Sequence, residues 1–261
     1  MRSIKISALA ICLVITGMVS AAFVIKNNHT TVDKGFAVIE LFTSEGCSSC
    51  PPADELVARI QKESAGRPVY ILAYHVDYWN RLGWKDVFSS ADYSHRQGAY
   101  AKWLKLNGVY TPQAVVNGST EMVGSAQGTL RNSITSNLNK TPTVQLSLQN
   151  LTVDKHKATI KYTTEGAAQN TTLLLALIQK NATTKVKNGE NSGRTLSHVQ
   201  IVRGIKTVAL DKDKTGQADL SLPDDFIAQG WEVIGLVQNT NTGQITAASR
   251  VAIAAATMAS N

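Results

Sequence analysis

Two cysteines three residues apart stand between a strand-like run and a helix-like run. Phe36-Ala-Val-Ile-Glu-Leu-Phe-Thr is dominated by β-branched and aromatic residues and reads as a strand. Cys47-Ser48-Ser49-Cys50 follows at once. Pro51-Pro52 then suits the first turn of a helix, where a missing N–H does no harm. Leu56, Val57 and Ile60 give that helix one apolar face, and Gly66 with Pro68 ends it. Val69-Tyr-Ile-Leu-Ala-Tyr-His-Val is a continuous apolar run, as expected for a strand buried on both faces. Strand, helix and strand in this order predict a βαβ unit.

The chain opens with Arg2 and Lys5, followed by an uncharged apolar run from Ile6 to Ile25. Residues 1–26 therefore read as a secretory signal or an uncleaved signal anchor, since about 20 apolar residues span a bilayer. The remainder is expected to be exported, periplasmic or secreted, with membrane contact only through residues 6–25. Arg2, Lys5 and Lys26 account for three of the excess positive charges in a formal net charge of +7, so the exported part is only mildly basic. It shows no run of Lys or Arg, and a nucleic-acid partner has no electrostatic footprint.

Apart from Cys12 inside the apolar run, Cys47 and Cys50 are the exported cysteines. An oxidising compartment permits a structural disulfide. A bridge across two residues, however, closes a tiny loop and constrains the unfolded chain little. The spacing suits reversible chemistry better than stapling. A thiolate is favoured ahead of a helix N-terminus, which makes Cys47 the expected nucleophile and Cys50 the resolving residue. A zinc site of the C-x-x-C type needs a second pair of ligands, and no second cysteine pair exists. No cofactor and no resident metal are expected.

Ser90 is placed to cap a helix through Tyr93, Gln97, Tyr100 and Leu104. Thr111-Pro112 leads into a strand at Ala114-Val-Val, an Asn117-Gly118 turn follows, and Thr129 to Leu138 reads as a last helix. From Pro142 the pattern changes to short Thr- and Val-rich runs separated by polar turns, which suggests a β-sandwich. The predicted organisation is a domain over residues 34–140 and a β-rich sandwich-like domain over residues 142–255.

The first of these domains is similar to thioredoxin-like proteins, which set a proline, usually cis, beside the dithiol at the start of a later strand. Pro112 fits that slot. Those proteins also carry a buried acid in the strand before the motif, and Glu40 occupies nearly the same place, seven residues before Cys47. The resemblance implies an α/β thioredoxin-like domain with a helical insertion, followed by the sandwich-like domain, with Cys47, Cys50, Pro112 and Glu40 as its site residues. Gly46 departs from the usual tryptophan before the first cysteine.

The stretch AVIELFTSEGCSSCPPAD (Ala37 to Asp54) also resembles the opening of a secreted bacterial family labelled only as a domain of unknown function, number 1223. His75-Val-Asp-Tyr-Trp-Asn-Arg-Leu-Gly-Trp-Lys-Asp, Arg96-Gln97, Tyr110-Thr-Pro-Gln-Ala-Val-Val-Asn-Gly and Gly189-Glu-Asn-Ser-Gly-Arg-Thr-Leu-Ser-His-Val-Gln-Ile-Val-Arg are similar to its further blocks. His75 and Asp77 read as hydrogen-bonding or packing residues at a strand end. Trp79 and Trp84 read as core or lid packing, and Asn191 to His198 with Arg203 as turn-forming polar residues.

Three functions are compatible with this reading. The first is thiol–disulfide exchange by the dithiol on exported thiol or disulfide proteins, recharged by a further redox partner. The second is a copper(I) carrier using Cys47, Cys50 and His75, since soft thiolates suit that ion. The third is a partner-binding module whose dithiol senses redox state or takes no part in catalysis.

Overall fold

A computed structural model describes residues 34–210 and 215–253. The signal or anchor expected at residues 1–26 lies outside the described residues. Among the described residues no helix is long and apolar enough to cross a membrane.

The chain begins with the unit read from the sequence: β1 (Ala37–Thr43), α1 (Pro51–Glu63) and β2 (Val69–His75). β1 and β2 pair in parallel from Ala37 against Val69 to Thr43 against His75. A single 3-10 turn (Asn80–Leu82) leads to α2 (Ala91–Trp103), capped by the Ser90 hydroxyl, which accepts from the Asp92 N–H. β3 (Gln113–Val116) and β4 (Thr120–Val123) form a hairpin at the edge of the sheet, and α3 (Gln127–Leu138) follows.

Asn117 and Gly118 turn that hairpin with φ of 47° and 65°, as a two-residue turn of matching twist requires. A Cβ built on Gly118 would lie 1.9 Å from the Gly243 carbonyl oxygen. Gly118→Ala therefore meets both a strained backbone and a backbone clash. Urea unfolding should show it destabilised by about 2 kcal/mol or more.

Among the described residues, all regular structure after α3 is β: β5 (Gln145–Asp154), β6 (Lys157–Glu165), β7 (Thr171–Lys185), β8 (Thr195–Ala209), β9 (Thr215–Ser221), β10 (Trp231–Asn239) and β11 (Ile245–Ala252). Four of these strands do not form a separate body. They extend the first sheet, whose order is β11-β10-β7-β8-β2-β1-β3-β4, with β8 joining β2 in parallel at Ala73 and Ile201. β5, β6 and β9 form a second, three-stranded antiparallel sheet.

The described chain is thus mostly β, with a mixed eight-stranded sheet and three α-helices. The expected α/β thioredoxin-like domain with a helical insertion, followed by a sandwich-like domain, is not its fold. The reason lies in β7 and β10. Leu173, Leu175 and Leu177 pack with the three-stranded sheet, whereas Leu174, Ala176 and Ile178 pack in one cluster with Val38, Phe42, Leu72 and Tyr74 of β1 and β2. Val233 and Ile234 of β10 divide in the same way. Strands apolar on both faces need cover on both. They find it only by continuing the first sheet, between the three-stranded sheet on one side and α2 on the other.

Side-chain alternation sorts the residues of β1 and β2. Ala37, Ile39 and Leu41 of β1, with Val69 and Ile71 of β2, meet α1 and α3. Val38 and Phe42, with Leu72 and Tyr74, meet Tyr93 and Tyr100 of α2. Thr43 and His75 continue the α1 face, and Glu40 belongs to the α2 face.

Candidate functional site

Cys47 and Cys50 form a disulfide with Cα atoms 5.4 Å apart. Cys50 holds the N-cap position of α1 in a helical conformation, and its carbonyl accepts from the N–H groups of Ala53 and Asp54 at 2.9 and 3.1 Å. Pro51 and Pro52 spend no N–H there, as their positions predict. Ser48 and Ser49 at the tip are exposed, but both cysteines are fully buried, at 0%.

The connection between β7 and β8, distant in sequence, is bonded to the backbone of the dithiol loop. The Asn191 amide donates to the carbonyls of Glu45 and Cys47, both at 2.9 Å, and its own oxygen accepts from Arg194. The Glu190 carboxylate accepts from the Ser48 N–H at 3.0 Å, and its hydrogen bonds to Ser48 hold it below the usual carboxylate range. On another side the Ser49 hydroxyl reaches the Thr111 carbonyl at 3.5 Å, and the Trp79 indole donates to the Thr111 hydroxyl at 2.8 Å. The Thr111–Pro112 peptide is cis. Pro112 thus lies next to the residue that touches the dithiol loop. Gly46, where a tryptophan was the expectation from thioredoxins, backs onto Trp79: an added Cβ would lie 3.2 Å from that residue's Cβ.

Behind the dithiol loop is a buried acid–base cluster. His75 Nδ1 lies 2.7 Å from Asp86 Oδ2, which also accepts from the Glu45 N–H at 2.8 Å. The Trp84 indole donates to Glu45 Oε2 at 2.7 Å. Glu45 Oε1 lies 3.3 Å from His198 Nε2, within ion-pair range but outside hydrogen-bond alignment. The rings of His75 and His198 meet edge to face at 4.8 Å, with Phe88 against both. Asp54 of α1 completes the group and accepts from the Thr43 hydroxyl at 3.2 Å. His75 Nε2, both ring nitrogens of His198 and Glu45 Oε1 are buried among the described residues without a hydrogen-bond partner.

Burial pushes Asp54 up to about 6 from 3.8, against the pull of His198 and His75. Burial alone would lower His75, but the Asp86 carboxylate more than offsets it and the net direction is up. Burial raises Asp86, and His75 with the N–H groups of Glu45 and Phe88 more than reverses this, leaving it below its usual range. Asp54 binds its proton more tightly folded than unfolded. Its favourable contribution to folding is therefore full below pH 3.8 and is lost as the pH rises through about 6.

Glu40 is elsewhere. It stands on the α2 face of β1, where Arg96 Nε and Nη2 donate to its two oxygens at 2.6 and 2.9 Å and the Tyr100 hydroxyl also donates to it. Thr43, three residues on, points toward α1. An odd separation along a strand sends two side chains to opposite faces, so the expected role of Glu40 beside Cys50 has no geometric basis. Asp54, bonded to Thr43, is on the dithiol side of the sheet.

Asp77 is a hydrogen-bonding residue, as read, joined to Ser94 of α2. His75, His198, Asn191 and Glu190 do more than was read from the sequence: two belong to the buried cluster and two bond the dithiol loop. The blocks that carry them, Gly189 to Arg203 and His75 to Asp86, were the available signal. The copper(I) reading would take His75 as its third ligand. His75 Nδ1 faces Asp86, and no three His, Cys, Asp or Glu side chains among the described residues are grouped to hold a metal ion.

Among solved structures, the crystal structure of a protein from Agrobacterium tumefaciens, a structural genomics target, is similar with a TM-score of 0.64 and 29% identity, over 84% of this chain and 95% of that one. A domain of the outer membrane lipoprotein Omp28 from Porphyromonas gingivalis matches 42% of this chain and 95% of its own, at 11% identity and a TM-score of 0.27. A β-glucosidase from Kluyveromyces marxianus matches 43% of this chain and 14% of its own, at 17% identity and a TM-score of 0.21. At such scores the last two carry no argument. No curated protein matches the sequence. A family model described as "Protein of unknown function (DUF1223)" matches residues 38–238. By that match, over most of its length, the chain belongs to the DUF1223 family of proteins of unknown function.

Proposed function

We propose that the protein carries out thiol–disulfide exchange at Cys47–Cys50 with thiol or disulfide groups of proteins it meets after export. The observation that carries this reading is the position of the bridge. It spans two exposed serines directly ahead of α1, where the helix dipole favours a thiolate. A bridge serving only stability would gain little from so short a loop. The surroundings also favour chemistry over stapling. The loop that carries the bridge supplies Glu45 to a buried cluster of two histidines and three carboxylates, and such clusters gather where protons are handled.

The test uses the full chain and oxidised insulin. Cys50→Ser is expected to accumulate a mixed disulfide through Cys47, Cys47→Ser to form none, and the unmodified dithiol to speed insulin reduction in the presence of a small thiol. A bridge with a reduction potential below about −300 mV and no effect on insulin would be structural in character and would defeat the proposal.

A further inference from the structure

We propose that Asp54 exchanges a proton with the sulfur of Cys50 as the disulfide opens and closes, and that His75 and His198 set the pH at which it does so. This rests on thiol–disulfide exchange as the function of the pair. Cys50 and Asp54 are four residues apart with helical backbone between them, joined by the Asp54 N–H to Cys50 carbonyl bond. Residues at that spacing share a helix face, with Cβ atoms about 5–6 Å apart. Both are buried, Cys50 fully and Asp54 at 8% exposure.

The groups around Asp54 come from every element packed on it. Thr43 of β1 fixes one carboxylate oxygen, His75 comes from β2 and His198 from β8. Asp86, in the loop before α2, adds a negative charge, and Glu45 of the dithiol loop stands behind the histidines. The two histidines favour the carboxylate while burial and Asp86 favour the acid. The balance leaves Asp54 able to hold or release a proton near pH 6.

The step balances as follows. A partner thiolate attacks the Cys47 sulfur, a Cys47–partner bond forms, and the Cys47–Cys50 bond breaks with its electron pair on Cys50. Asp54 as the acid gives its proton to that thiolate and is left as a carboxylate facing His75 and His198. A second partner thiolate then displaces Cys47, which is protonated from solvent, as is Asp54. Two electrons pass from the partner dithiol to the bridge. In reverse, the Asp54 carboxylate takes the proton of the Cys50 thiol.

The experiment is stopped-flow reduction of the oxidised full chain by dithiothreitol between pH 4.5 and 9, with rates corrected for the thiolate fraction of the reagent. The corrected rate should fall about a hundredfold through a break near pH 6, the loss of a positioned acid. In Asp54→Asn the break should vanish and the low-pH rate should drop to the high-pH plateau. His198→Gln and His75→Gln should each move the break to higher pH, because each removes a group that favours the carboxylate. A purely structural role would move stability and not the break. A break that survives in Asp54→Asn, or that stays in place in both histidine variants, overturns the role of Asp54. A bridge that dithiothreitol opens with the expected break, but that never exchanges with a protein disulfide, supports the role of Asp54 and overturns the proposed function instead.

Discussion

Arg96→Met should destabilise the protein by about 3–5 kcal/mol, the cost of leaving a buried carboxylate without its cation. Glu40 is fully buried on the α2 face of the sheet, with two oxygens committed to the Arg96 guanidinium and a further bond from Tyr100. Arg96 Nη1 also donates to Gln238 of β10 at 3.1 Å, and the guanidinium lies over the rings of Tyr74 and Tyr100. The network ties α2 and β1 to β10, so its loss loosens the junction between the first strands and the later ones. Urea unfolding checks the magnitude. Adding Glu40→Gln to Arg96→Met should recover much of the loss, because the orphaned charge is then gone. If the double variant is no more stable than the single one, the ion pair is not the source of the effect.

Asn191→Ala should make the disulfide roughly ten- to hundredfold easier to reduce with dithiothreitol. The Asn191 side chain meets two carbonyls of the dithiol loop, those of Glu45 and Cys47, and is itself fully buried. Leaving such acceptors unmet costs about 1–3 kcal/mol in the closed arrangement, and that cost favours any state in which the connection between β7 and β8 has lifted from the dithiol loop. Glu190→Gln is the mild comparison. Its side chain is at the surface and the amide oxygen still accepts from the Ser48 N–H, so only a small change is expected. An Asn191→Ala protein reduced at the original rate would mean that the connection does not control access.

Glu40 and the Thr43–Asp54 pair lie on opposite faces of one sheet, and the division between those faces was partly legible beforehand. Glu40 and Thr43 are an odd number of residues apart in an obvious strand, and α1 must cover one face only. Which face α1 takes depends on how the chain crosses from β1 to β2. Glu40 was therefore matched to the dithiol by its distance along the chain, whereas alternation puts Thr43 and its partner Asp54 on that side. The run Leu173-Leu-Leu-Ala-Leu-Ile was likewise available as a strand apolar on both faces. Grouped with the alternating strands around it, it was read as half of a sandwich.

By itself the sequence determined the local frame of the site: a strand, a dithiol placed ahead of a Pro-Pro helix start, a second strand, and a proline that leads into β3. These follow from short-range propensities and backbone constraints, which act within a few residues. Tertiary structure alone decided that β8 would join the open edge of β2, and with it that His198 would meet His75 and that Asn191 would bond the Cys47 carbonyl. Strand pairing across such a separation is chosen by the apolar area that both faces must hide, a property of the whole sheet that no single segment carries.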